Sequence, residues 1–113
     1  MKRNNYSDSI KEIVKRIKSN LDVKDIILFG SYAYGTPNEN SDIDLIVVLN
    51  EKGISKTFSE RIKRKTKVSQ LISDIRRTVP IDLLVFTRDE WNYNVQQEGC
   101  FINEVNTKGV SIS

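Results

Sequence analysis

Apolar side chains at Ile10, Ile13, Val14, Ile17 and Leu21 fall at offsets 0, 3, 4, 7 and 11, which lines one stripe of an α-helix and predicts a helix over residues 7–21. Ser9, with Glu12 three positions on, has the capping-box pattern and is expected to start it. Residues 23–29 read Val-Lys-Asp-Ile-Ile-Leu-Phe, a β-rich run too short for a helix and stopped by Gly30, so they predict a core strand. Residues 42–49 read Asp-Ile-Asp-Leu-Ile-Val-Val-Leu, and the five consecutive aliphatics from Leu45 to Leu49 predict a strand covered on both faces. A long polar helix is expected over about residues 55–78. Val68, Leu71, Ile72, Ile75 and Val79 pattern its second half, while the KRKTK stretch at 63–67 interrupts the stripe and calls for either a break or an exposed middle turn. Pro80 ends that helix, and residues 81–86, Ile-Asp-Leu-Leu-Val-Phe, predict a third core strand. Thr87 is placed to cap a short helix over about residues 88–95. A second short helix is expected near 101–107, ending at Gly109 before a last short strand at 110–112.

The resulting order is α, β, loop, β, α, β, α, α, β, which predicts an α+β sandwich: helices packed on a small mixed β-sheet. With 113 residues, 38% hydrophobic and 29% charged, the chain has the balance of one folded domain spanning residues 1–113. A domain of this size buries roughly two thirds of its unfolded surface, enough for one core without a separate substrate-binding lobe. The longest loop expected is 30–41, which holds Gly30, Gly35, Pro37, Asn38 and Asn40. There is no run of 18 apolar residues. The opening MKRNNYSDSIKEIV lacks the apolar stretch of a signal peptide, so the cytoplasm is the expected location and no membrane contact is expected.

The sequence contains no histidine and one cysteine, Cys100. That excludes Ser-His-Asp and Cys-His nucleophile systems and a His/Cys zinc site, and leaves carboxylates, Lys, Arg or a hard metal ion to carry any chemistry. Cys100 cannot form an internal disulfide and reads as a small apolar packing residue. Asp42 and Asp44 stand two apart at the head of a strand, so both carboxylates project from one face. Like charges that close repel unless a cation lies between them or one takes a proton. Oxygen-only ligands select Mg²⁺ or Mn²⁺. Asp82 opens the next strand, and if the two strands are neighbours it completes an Asp-x-Asp plus Asp cluster of the kind a two-metal phosphoryl-transfer site needs. The plainer alternative makes Asp42 a turn residue and pairs Asp44 with a lysine. Gly30-Ser31, at the carboxyl end of the first strand, could hold a phosphate on backbone N–H groups and a hydroxyl, or could simply be a turn.

Phe29-Gly30-Ser31, ten intervening residues, then Asp42-Ile43-Asp44-Leu45 resembles the signature of the polymerase-β-like nucleotidyltransferase superfamily. The fuller string GSYAYGTPNENSDIDLIVVL, with Gly35 and Ser41, looks like the stand-alone minimal nucleotidyltransferase proteins of antitoxin type, and the likeness covers nearly the whole chain. The resemblance implies that Gly30 and Ser31 contact the nucleoside triphosphate and that Asp42, Asp44 and Asp82 are catalytic. It implies that these three carboxylates bind two Mg²⁺ or Mn²⁺ ions and that Asp82 also helps deprotonate the attacking hydroxyl. The implied reaction is attack of an acceptor hydroxyl on the α-phosphorus of ATP or another nucleoside triphosphate, with release of pyrophosphate. The implied partner is a small all-helical HEPN protein, an RNase toxin that some of these antitoxins modify with AMP on a tyrosine. The competing reading is a catalytically weak binding module that neutralises a helical partner by contact.

Charge adds one more feature. From Glu51 to Val79 nine Lys or Arg face three acids, a segment of +6 in a chain of +3 overall, so the remainder is −3. The strip Lys52, Lys56, Arg61, Lys63, Arg64, Lys65, Lys67, Arg76, Arg77 favours an acidic partner or is a solvated helix face. Phe58 is the single aromatic residue within it, too few for the repeated stacking of a nucleic-acid platform. Because the acceptor side of so small a domain is open, a homo-oligomer or a helical partner is expected, contacted through this segment or through Trp91, Tyr93 and Phe101, unless those aromatics cap the core.

Overall fold

Five aliphatic side chains in a row can be buried only if both faces of their strand are covered, and the centre of the fold is built around that demand. The computed structural model describes residues 7–29, 43–54, 57–96 and 109–112. In it β1 (Val23–Phe29), β2 (Ile43–Leu49), β3 (Ile81–Thr87) and β4 (Val110–Ser111) form one sheet of order β3-β2-β1-β4. β1 runs antiparallel to β2 and to β4, while β3 runs parallel to β2, so the sheet is mixed as expected. β2 is central, and from Leu45 to Leu49 no side chain is more than 1% exposed.

The helices are α1 (Ser7–Asn20), α2 (Phe58–Leu71), α3 (Ser73–Arg76) and α4 (Arg88–Gln96). The stripe of α1 behaves as its spacing predicts, with Ile13 and Ile17 fully buried. One core joins them to Ile26 and Leu28 of β1, Ile43, Leu45, Val47 and Leu49 of β2, Leu83 of β3, and Val68 and Ile72 from the basic helical segment. The opposite sheet face carries a smaller core of Ile27, Ile46, Val48 and Trp91, with Phe29, Leu84, Phe86 and Val95 packed around it. Alternation of side chains along each strand divides the two sets. No helix among the described residues is long and apolar enough to cross a membrane.

Two local expectations are corrected, the start of the first helix and the continuity of the helix expected over 55–78. Ser9 lies inside α1, and Glu12 bonds Arg16 one turn on at 3.0 Å. The capping box belongs to Thr57, whose hydroxyl accepts from the Glu60 amide at 3.2 Å while the Glu60 carboxylate accepts from the Thr57 amide at 3.1 Å. The basic stretch 63–67 is continuous helix and is the exposed turn, Arg64 alone being half-buried. The break falls later, at Ile72, whose φ of −122° and ψ of 19° leave the helical region. Ile72 is fully buried, and its amide reaches back only to the Ser69 carbonyl, at 3.2 Å. Arg16 spans the break, donating to the Leu71 carbonyl at 3.3 Å and pairing with Asp74 at 2.5 Å. The second short helix expected near 101–107, and Cys100, lie outside the described residues.

Candidate active site

Asp44 is the one charged residue in β2. By alternation it shares its face with Ile46 and Val48, away from the larger core. In the parallel β2–β3 ladder its register partner is Asp82, so the sequence-predicted Asp44 and Asp82 are brought side by side. Neighbouring strands lie about 4.8 Å apart, which sets the scale of their separation. Asp44 is half-buried and Asp82 exposed. Below them on the same face the pairs Ile46–Leu84 and Val48–Phe86 form an apolar shelf.

On its other side Asp44 is in register with Phe29, the last residue of β1. Phe29 is bonded to Gly30, and Ile43, the first residue of β2, is bonded to Asp42. Gly30, Ser31 and Asp42 themselves lie outside the described residues, but the positions that lead into them meet at the Asp44–Asp82 end of the sheet. The Ile43 amide donates to the Pro80 carbonyl at 2.9 Å, which extends the β2–β3 ladder past the two aspartates and holds their strands together.

Two carboxylates in register repel, and Asp44 is also partly withdrawn from water. A pair of oxygen donors on hydrogen-bonded strands, with no imidazole anywhere in the chain, suits a hard divalent cation. Among the described residues no three His, Cys, Asp or Glu side chains gather. Of the three carboxylates singled out in the sequence, Asp44 and Asp82 are described, and they form this pair.

The far half of the same face is closed by α4, whose start is held firmly. Thr87, fully buried, accepts from the Glu90 amide at 3.1 Å, and the buried Glu90 carboxylate accepts from the Thr87 amide at 2.8 Å. The Thr87 cap is therefore as expected, and its reciprocal Glu90 is the part that a reading of apolar periodicity passes over. The same hydroxyl donates to the Gly53 carbonyl at 2.6 Å, and the Gly53 amide donates to Asp89 at 2.6 Å. Gly53 has a φ of +94°, where a side chain would be strained. Trp91 is 7% exposed and tilts against Phe86 with ring centroids 5.7 Å apart. Trp91 is thus a core residue and not a free contact anchor; Tyr93 remains exposed, and Phe101 lies outside the described residues.

Comparison with known proteins finds counterparts of this fold. Residues 10–99 match the model of a family described as nucleotidyltransferase domain. A Methanocaldococcus jannaschii protein named as a candidate protein adenylyltransferase is 31% identical over 107 residues, covering 89% of this chain and 96% of the relative. The crystal structure of a candidate nucleotidyltransferase from Sulfolobus solfataricus superposes with a TM-score of 0.62 at 26% identity, covering 92% of this chain and 76% of that one. A toxin–antitoxin structure with AMP-PNP shares the fold at a TM-score of 0.52 and 22% identity, over 89% of this chain and 69% of that one.

Proposed function

The chain belongs to the nucleotidyltransferase domain family, and on that premise we propose that it transfers AMP from ATP to a hydroxyl group of a protein acceptor. It is an enzyme of the nucleotidyltransferase class. The observation that carries the finer reading is the register pairing of Asp44 with Asp82. Asp42, Asp44 and Asp82 would hold two Mg²⁺ or Mn²⁺ ions, a hard-cation set by donor chemistry. Bound ions of this kind supply charge stabilisation at the attacking and leaving oxygens.

The chain's own groups do the rest. Gly30 and Ser31 offer backbone N–H and hydroxyl donors to the triphosphate, next in sequence to the Phe29 that faces Asp44. Asp82, the exposed residue of the edge strand, takes the proton of the acceptor hydroxyl. The hydroxyl oxygen bonds to the α-phosphorus as the bond from that phosphorus to the oxygen bridging the β-phosphate breaks, and pyrophosphate leaves. Fixing the reactants in line supplies much of the acceleration.

A protein acceptor is favoured by the adenylyltransferase name of the relative, and an antitoxin role by the toxin–antitoxin structures of the same fold. We take the acceptor to be a tyrosine of a small helical HEPN-type toxin, met in the cytoplasm by the domain formed by residues 1–113. The test is intact-mass spectrometry of the protein that co-purifies with the chain, before and after incubation with ATP and Mg²⁺. A gain of one AMP with wild type and none with Asp44→Asn is expected. A partner that stays bound and unmodified would replace the reading with neutralisation by contact.

A further inference from the structure

Among the described residues, the order β3-β2-β1-β4 puts β3 at one border of the sheet, with β2 as its ladder partner. Its segment Leu84–Val85–Phe86 forms one wall of a groove of about 340 Å³, and Arg61, Ile62 and Lys65 of α2 form the other. An edge strand turns half of its main-chain N–H and C=O groups away from the ladder, and soluble proteins usually blunt such edges with charge, proline or brevity. β3 has seven residues, Ile-Asp-Leu-Leu-Val-Phe-Thr, and after Asp82 it carries no charge and no proline. Ile62, in the facing wall, is 47% exposed.

The charge on the groove is equally one-sided. Arg64 on the same helix is paired with Glu51 at 3.6 Å, and Arg16 is paired with Glu12 and Asp74. Arg61 and Lys65 form no ion pair among the described residues and belong to the +6 segment. An apolar floor whose outward main-chain groups no described residue pairs, beside two cations without an ion pair among the described residues, fits a peptide, which can join the ladder, better than a nucleic acid, which cannot.

We propose that this groove docks an extended segment of a partner protein in which apolar and acidic residues alternate. The segment adds to the edge of β3 as a further strand, its apolar side chains on the face of Leu84 and Phe86 and its carboxylates on the α2 side, at Arg61 and Lys65. Leu84 lies two residues, about 6.7 Å, along β3 from Asp82, so the groove leads to the reacting end of the sheet. That last link rests on the function proposed above; the docking does not.

The test titrates the full chain, without nucleotide, into a fluorescein-labelled octapeptide of alternating Val and Glu, read by anisotropy. A Val-Lys octapeptide and a single-stranded RNA octamer serve as rivals. The Val-Glu peptide should bind, lose about tenfold in affinity to R61E/K65E, and weaken as salt rises. On binding, the amide resonances of Leu84, Val85 and Phe86 should shift and their hydrogen exchange should slow. Arg61→Gln with Lys65→Gln repeats the comparison should the reversed pair fold poorly. Equal binding of both peptides, tighter binding of the RNA, or shifts confined to other strands would overturn the proposal. Docking without AMP transfer would retain the groove and remove the adenylyl-transfer reading, and transfer without docking would do the reverse.

Discussion

Asp44 and Asp82 stand in register across the parallel β2–β3 pair, on the sheet face whose far half is filled by Trp91, Ile46 and Val48. A chain selected only for stability would not set two carboxylates in register on its central and edge strands, since like charges so placed oppose folding. The arrangement becomes favourable once positive charge lies between them.

The apo protein should therefore gain from losing one of the two. In EDTA, Asp44→Asn is expected to raise the melting temperature by about 2–5 °C, because the amide keeps the volume and removes the repulsion. Added Mg²⁺ should raise the melting temperature of wild type and leave that of the variant nearly unchanged. A variant less stable than wild type in EDTA would show that Asp44 is held by a favourable native interaction instead.

Trp91 is an anchor of the smaller core, so Trp91→Ala should cost about 3–5 kcal/mol in urea unfolding followed by circular dichroism. Tyr93→Ala, two residues along the same helix at an exposed position, should stay within about 0.5 kcal/mol. Similar losses for both would contradict the assignment of Trp91 to the core.

The Thr87 hydroxyl serves two partners, the Glu90 amide and the Gly53 carbonyl. Thr87→Val keeps the shape and removes both bonds in a buried setting, and is expected to cost about 2–3 kcal/mol. Thr87→Ser, which retains the hydroxyl, should recover most of that loss. Equal instability of the two variants would mean that the methyl group, and not the hydrogen bonds, is what matters.

Arg16 draws the Asp74 carboxyl below its ordinary value of 3.8, chiefly by a side-chain hydrogen bond. A depressed folded-state pKa contributes stability above the unfolded value and loses it as pH falls through the folded one. Wild type should thus melt above Asp74→Asn at about pH 7, with the gap closing below about pH 4 and shrinking in high salt. Both side chains are partly exposed, so the gap is small. A gap that widened on acidification would refute the linkage.

Much of this architecture is legible in the amino-acid order because strong local patterns coincide with what packing requires. Five aliphatics in β2 demand two covered faces, and the structure covers both. β1 has the bounds its composition predicts, since Asp22 and Gly30 flank a run dominated by Val, Ile, Leu and Phe. The misreadings have physical causes too. Ser9 and Thr57 both carry a hydroxyl three residues before a glutamate, and choosing between them takes knowledge of where the chain enters the helix. The break at Ile72 is set by tertiary burial of its side chain and not by a helix-breaking residue. Alternation alone predicts that Asp42 and Asp44 share a face, and Asp42 lies outside the described residues. The meeting of Asp44 with Asp82 depends on β3 lying parallel beside β2, a long-range fact with no local signature.

The most direct test of the central claim follows the phosphate. The wild-type chain, with protein extract from its own host and Mg²⁺, is supplied with ATP labelled at either the α- or the γ-phosphate. Attack at the α-phosphorus predicts that α-label enters a protein acceptor, that γ-label leaves in pyrophosphate, and that Asp44→Asn and Asp82→Asn transfer neither. Incorporation of γ-label, or α-label transfer by either variant at the wild-type rate, would contradict the account.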